Sequence, residues 1–73
     1  MNELGKMLKE RRLDLAYSQT MMAKEIGITM ATLIKIEKGR HIGSSTIRKI
    51  SKFLNIKTCD IRNLMMMTDE DNE

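Results

Sequence analysis

The sequence predicts an all-α fold, a compact bundle of five helices. Three observations carry this. There is no proline and no valine, and the aromatic residues are Tyr17 and Phe53 alone. Strands favour β-branched and aromatic side chains, so a sheet has little to build from. Leucines and isoleucines recur every three or four positions, the period of a helix with one buried face. Helix-starting and helix-stopping residues punctuate the chain at Asn2, Ser18 and Thr29 and at Gly27, Gly39 and Asn55. At 73 residues the chain is one domain near the lower size limit for a self-sufficient core.

Residues 2–15 form the first helix. Asn2 serves as N-cap and Glu3 suits the positive end of the helix dipole. Leu4, Leu8 and Leu15 make its inner stripe, with Met7 and Arg11 at the edges and Lys9 and Glu10 in water. Leu13 falls off the stripe and reads as a singly exposed leucine. Ala16 and Tyr17 then connect to the next helix, and Tyr17 is placed to staple onto Met22.

Residues 19–36 organise the rest. One helix runs from Gln19 to Ile26, capped by Ser18 and stopped by Gly27, since glycine takes the left-handed conformation without steric cost. A second runs from Met30 to Glu37, with Thr29 as N-cap and Gly39 past its last turn. Met22, Ile26, Ile28, Leu33 and Ile36 share an inner face, and Ala23 and Gly27 are small where the helices approach. Two eight-residue helices cannot each bury a face alone, but joined by a short turn they cover one another. This is a helix-turn-helix unit, whose second helix can lie in the major groove of DNA. Gln19 and Thr20, beside unpaired backbone N–H groups, suit a phosphate; Gln19 simply facing water is an equal alternative. Arg12 and Glu37 are expected to form a two-pronged ion pair with a structural role.

Residues 38–43 make a basic loop flanked by glycines. Lys38, Arg40 and His41 can straddle a sugar-phosphate strand, while Ile42 plugs the core. Ser44 or Ser45 caps a fourth helix ending at Leu54, with Ile47, Ile50 and Leu54 buried, Phe53 alongside, and Arg48, Lys49 and Lys52 outward. Asn55 stops it in the left-handed region and Ile56 packs at the turn. Thr58 caps a fifth helix with Ile61 and Leu64 inward. Met65, Met66 and Met67 fray from its end, and residues 68–73 are acidic, polar and expected to be disordered. The division is therefore a folded domain over residues 1–64 and a Met-rich, then acidic, flexible tail over 65–73.

The net charge of +3 conceals an asymmetry. Residues 58–73 hold five carboxylates against Arg62, a net −4, which leaves +7 on residues 1–57. A basic body with an acidic tail suits a polyanionic partner held by the body. Cys59 is the one cysteine, so no intrachain disulfide forms, and one histidine with one cysteine makes no zinc site. No metal or other cofactor is expected. Without a Gly-rich phosphate loop or a catalytic cluster, an enzyme is the weakest reading. No apolar run resembles a signal peptide or a membrane span, so no membrane partner and a cytoplasmic location are expected.

The run from Leu8 through Arg11, Arg12, Ala16, Tyr17 and Ser18 to Gln19, then Met22, Ala23, Gly27, Ile28, Thr29, Leu33, Ile36, Glu37, Lys38 and Gly39, resembles the Cro/repressor-type (XRE-like) helix-turn-helix DNA-binding domains. The likeness covers residues 4–64. It implies a lambda-repressor-like five-helix bundle from a bacterium, phage or other mobile element, acting at the nucleoid as a transcriptional regulator, most simply a repressor. It assigns base contacts to Met30, Ala31 and Lys35 and phosphate contacts to Gln19, Lys38 and Arg40, with Arg12 and Glu37 as the internal ion pair; Thr32 at a base edge and Ser18, Thr29 and His41 at phosphates are expected from their places beside these. There are departures. The family's asparagine-proline-serine opening of the fourth helix appears as Ile42, Gly43 and Ser44, one residue shorter, and Ala16 replaces a common glycine. Where many members carry glutamine, serine or arginine, the recognition helix offers Met30, Ala31, Thr32 and Ile34. That surface suits thymine methyls, with Lys35 reading guanine O6 and N7 or, as the alternative, contacting a phosphate. The expected partner is double-stranded DNA bearing an inverted-repeat operator, bound by a homodimer through Leu64, Met65 and Met66. The alternative is an antitoxin or other protein-interaction module in which the tail or the methionine run faces a toxin.

Overall fold

The computed structural model describes residues 2–67. It contains α1 (Glu3–Asp14), α2 (Gln19–Ile26), α3 (Met30–Glu37), α4 (Ser44–Leu54) and α5 (Thr58–Met66). No strand occurs among the described residues. Helix α3 packs on α1 and α2, α5 packs on α1 and α4, and α2 also packs on α4. The fold is the all-α five-helix bundle expected from the sequence.

Three helices start on side-chain caps. Asn2 Oδ1 accepts from the Gly5 amide at 2.9 Å, Ser18 Oγ from Met21 at 3.1 Å, and Thr29 Oγ1 from Thr32 at 3.2 Å. The other two differ from expectation. Gly43 and Lys57 are the N-caps of α4 and α5, and neither provides a side-chain acceptor. A cap must be extended at its ψ, as Gly43 (171°) and Lys57 (148°) are; Ser44 and Thr58 are already helical.

The stops follow one rule. Helices α1 to α4 are each followed by a left-handed residue, Ala16, Gly27, Gly39 and Asn55. The amide after each one closes back on the helix: Tyr17 to the Arg12 carbonyl at 3.0 Å, Ile28 to Ala23 at 2.9 Å, Arg40 to Lys35 at 2.9 Å, and Ile56 to Ser51 at 3.1 Å. This is the Schellman closure, which uses carbonyls the helix leaves free. At Ala16 it is made by a residue with a Cβ at φ 58°, a conformation that glycine adopts more cheaply.

Leu4, Leu8, Met22, Leu33, Ile36, Ile50 and Ile61 are fully buried, joined by Ala23, Ile26, Ile42 and Ile47. Tyr17, Ile28, Phe53, Leu54, Ile56, Leu64 and Met65 pack partly against them. Leu15 corrects the expected α1 stripe, because it is 43% exposed. Residues 13–16 are all in water, so the last turn of α1 extends past its neighbours and Arg12 becomes the inward residue there. Leu54 is half-buried where full burial was expected.

The methionine run does not fray at Leu64. Helix α5 continues to Met66, Met65 packs on the core, and the Met67 carbonyl accepts the Glu3 amide at 2.7 Å. The boundary drawn after Leu64 thus falls inside a helix. The acidic stretch 68–73 lies outside the described residues.

Gly5 is a buried residue that pattern reading passed over. A Cβ there would sit 2.5 Å from the Ile36 carbonyl oxygen and 3.0 Å from that of Glu37. Helix α1 therefore crosses the last turn of α3 backbone to backbone, which fixes how far α3 stands out from the bundle.

Candidate nucleic-acid interface

Glu37 closes α3 and is only 7% exposed. Its Oε2 accepts from Arg12 Nε of α1 at 3.2 Å, and its Oε1 accepts from Gln19 Nε2 of α2 at 3.2 Å. Arg12 also donates from Nη1 to the Tyr17 carbonyl in the α1–α2 turn, at 3.3 Å. The pair is therefore single-pronged. The second carboxylate oxygen that a fork would need is bonded to Gln19, and Nη1 of the guanidinium is turned to the Tyr17 carbonyl. One carboxylate so ties three helices together and sets the angle of α3 against α1 and the start of α2.

The opposite face of α3 is free. Leu33, Ile36 and Glu37 point inward, whereas Ala31, Lys35 and Lys38 are exposed and Ile34 is half-buried. Positions 31, 34, 35 and 38 lie in one row at helical spacing. Met30, 44% exposed, sits at one edge, with its sulfur 3.5 Å from Thr20 Oγ1 of α2. Thr32 lies at the other edge, half-buried, its hydroxyl 2.9 Å from that of Thr29. That bond links the cap to the first turn of α3.

Ser18, Thr20 and Thr29 are exposed at the starts of α2 and α3, and Gln19 is half-buried on Glu37. Lys38, Arg40 and His41 are exposed in the loop after α3, above the buried Ile42. The predicted base-edge and phosphate residues thus gather at three adjoining places: the α2 start, the α3 outer face and the following loop. The residues assigned to dimer pairing do not behave alike. Leu64 and Met65 are half-buried on the monomer core, and Met66 is 81% exposed.

Sequence reasoning missed two features of the site. One is the Gln19 amide on Glu37; neither the phosphate nor the water reading of that residue anticipated an internal partner. The other is Gly5, signalled only by a glycine standing inside a helical pattern. Among the described residues no group of histidine, cysteine or carboxylate side chains is clustered to hold a metal, and Cys59 is an exposed free thiol. No described helix is long and apolar enough to cross a membrane.

The sequence is 32% identical over 68 residues to the ImmF control region 10 kDa protein of Bacillus phage phi105, covering 92% of this chain and 71% of that protein. No solved structure matches. The helix-turn-helix family model matches residues 8–70, which span all five helices from Leu8 onward. The chain belongs to the helix-turn-helix family of the Cro/repressor (XRE-like) type.

Proposed function

We propose that this protein is a sequence-specific DNA-binding transcriptional regulator, a repressor that lays α3 in the major groove. The observation that carries this reading is the two-sidedness of α3. Leu33 and Ile36 are sealed in the core, while the row through Ala31, Lys35 and Lys38 faces water beside a loop carrying Arg40 and His41. A relative named for a phage control region favours regulation over catalysis.

In this reading Met30 and Ala31 pack on thymine methyls, Thr32 reaches a base edge, and Lys35 donates to guanine O6 and N7. Ser18, Thr29, Lys38, Arg40 and His41 hold the sugar-phosphate rails and carry no sequence information. Gln19 has two amide protons. One is spent on Glu37, and the other remains for a phosphate at the start of α2. A single module covers only about 600–1,000 Å² of DNA-facing surface. Two copies on an inverted repeat supply the remainder. Met66 anchors that pairing, with Leu64 and Met65 contributing what the core leaves uncovered.

Selection of bound duplexes from a random pool, followed by affinity measurements across salt, tests the reading. Enrichment of an inverted repeat with thymine in each half-site is expected, with log K falling against log salt at a slope near −5 for about six phosphate contacts. A pool that stays random, or binding indifferent to salt, would refute it.

A further inference from the structure

Beside the proposed phosphate loop lies a groove of about 560 Å³, of which the DNA reading uses only the Arg40 and His41 side. Its lining includes the cations Arg40 and Arg62, His41, the apolar Ile47, Met65 and Met66, and the polar Asn2 and Ser44. Among the described residues its lining has no carboxylate, and neither arginine has an ion-pair partner. Helix α4 starts at this groove on Gly43, so its first-turn amides have no side-chain acceptor.

We propose that this groove is the docking site of the chain's own acidic segment, residues 68–73, which competes there with DNA phosphate. Residues 68–73 carry four carboxylates (Asp69, Glu70, Asp71 and Glu73) and no cation. The root of the segment is already at the groove. Met65 and Met66 line it, and the Met67 carbonyl accepts from the Glu3 amide, next in sequence to Asn2 of the lining. Six residues reach at most about 20 Å, enough to lay carboxylates against Arg62, Arg40 and the open end of α4. A tether that short holds the carboxylates at millimolar effective concentration, order of magnitude. Since Arg40 and His41 are assigned to phosphates, the inference rests on that reading: each docked segment withholds part of the DNA surface. Met65 and Met66 also belong to the proposed pairing surface, so a second protomer and the segment exclude one another there.

Arg62 makes the test specific, because it has no assigned DNA contact and removing a cation ordinarily weakens DNA binding. Arg62→Gln is expected to tighten binding to duplex DNA about threefold at low salt, as when two-thirds of the molecules had been blocked. In a chain whose segment is neutralised (Asp69→Asn, Glu70→Gln, Asp71→Asn, Glu73→Gln), the same change should leave binding unaltered or weaken it. Weaker binding in both backgrounds overturns the proposal. Amide resonances supply a readout without DNA. Ser44 and the residues 39–43 should shift between the native and neutralised chains, and the difference should persist on dilution. Unmoved resonances overturn the docking, as does a difference that vanishes on dilution, which gives the groove to a second copy. Loss of DNA binding in every variant would sink the DNA reading alone, and the resonances would still decide the docking.

Discussion

Gln19 Nε2 donates to Glu37 Oε1 across 3.2 Å, joining the first residue of α2 to the last residue of α3. The bond spans the helix-turn-helix unit at the end opposite its turn. With Arg12 on the other carboxylate oxygen, it fixes α3 against α1 and α2. Orientation of α3 is thus a property of the free monomer.

Removing the hub should be costly. In Glu37→Ala the Arg12 guanidinium is left largely buried with only the Tyr17 carbonyl, and a loss of about 3 kcal/mol is expected from breaking one side of such a pair. Urea unfolding measures it. Arg12→Ala added to Glu37→Ala should cost less than the sum of the two singles, because the partner it strands is already gone.

Gln19→Ala separates the structural from the binding role of that amide. Stability should fall by about 1 kcal/mol. Affinity should drop by a similar factor on operator and scrambled DNA, since a phosphate contact carries no sequence. A loss confined to the operator would assign Gln19 to a base instead.

Two backbone positions have opposite expected signs. Ala16→Gly relieves a left-handed alanine and should raise stability by about 1 kcal/mol or slightly less, after the greater unfolded-state entropy of glycine is subtracted. Gly5→Ala improves helix propensity by about 1 kcal/mol. Its Cβ nevertheless meets backbone oxygens that cannot move aside, and overpacking of that kind costs about 1–3 kcal/mol. A net decrease in melting temperature is expected, with α3 displaced and DNA binding weakened alongside.

Lys35 and Lys38 lie three residues apart on one face and should still behave differently. Lys35→Ala should erase about 1–3 kcal/mol of preference for the operator over a guanine-substituted site. Lys38→Ala should weaken all duplexes alike and lower the salt slope by about two, one lost phosphate contact from each of the two protomers. Binding titrations on matched and substituted duplexes distinguish the two.

Much of this was readable from the chain because it is set by local chemistry. Ser18, Gly27 and Thr29 bound α2 and α3 through caps and stops that need only their near neighbours, and both helices fall where the pattern put them. The readings that failed depended on what stands opposite. Leu15 shares a face with Leu8, but nothing packs over the last turn of α1. Serines at 44 and 45 suited a cap, yet the extended residue is Gly43. Met65 looked like surplus until α5 was seen to continue along the core. In the site, the pairing of Arg12 with Glu37 was legible from charge and position. The claim of Gln19 on the same carboxylate was not, because it arises only once three helices have converged.

The outward face of α3 is the central claim, and contact with a base is its most direct test. Duplex selected from a random pool, bound to the isotope-labelled protein, should give a nuclear Overhauser effect between the Ala31 methyl and a thymine C5-methyl, with the Lys35 amide strongly shifted. Tight binding in which the α3 resonances stay unmoved while those of another helix shift would contradict it.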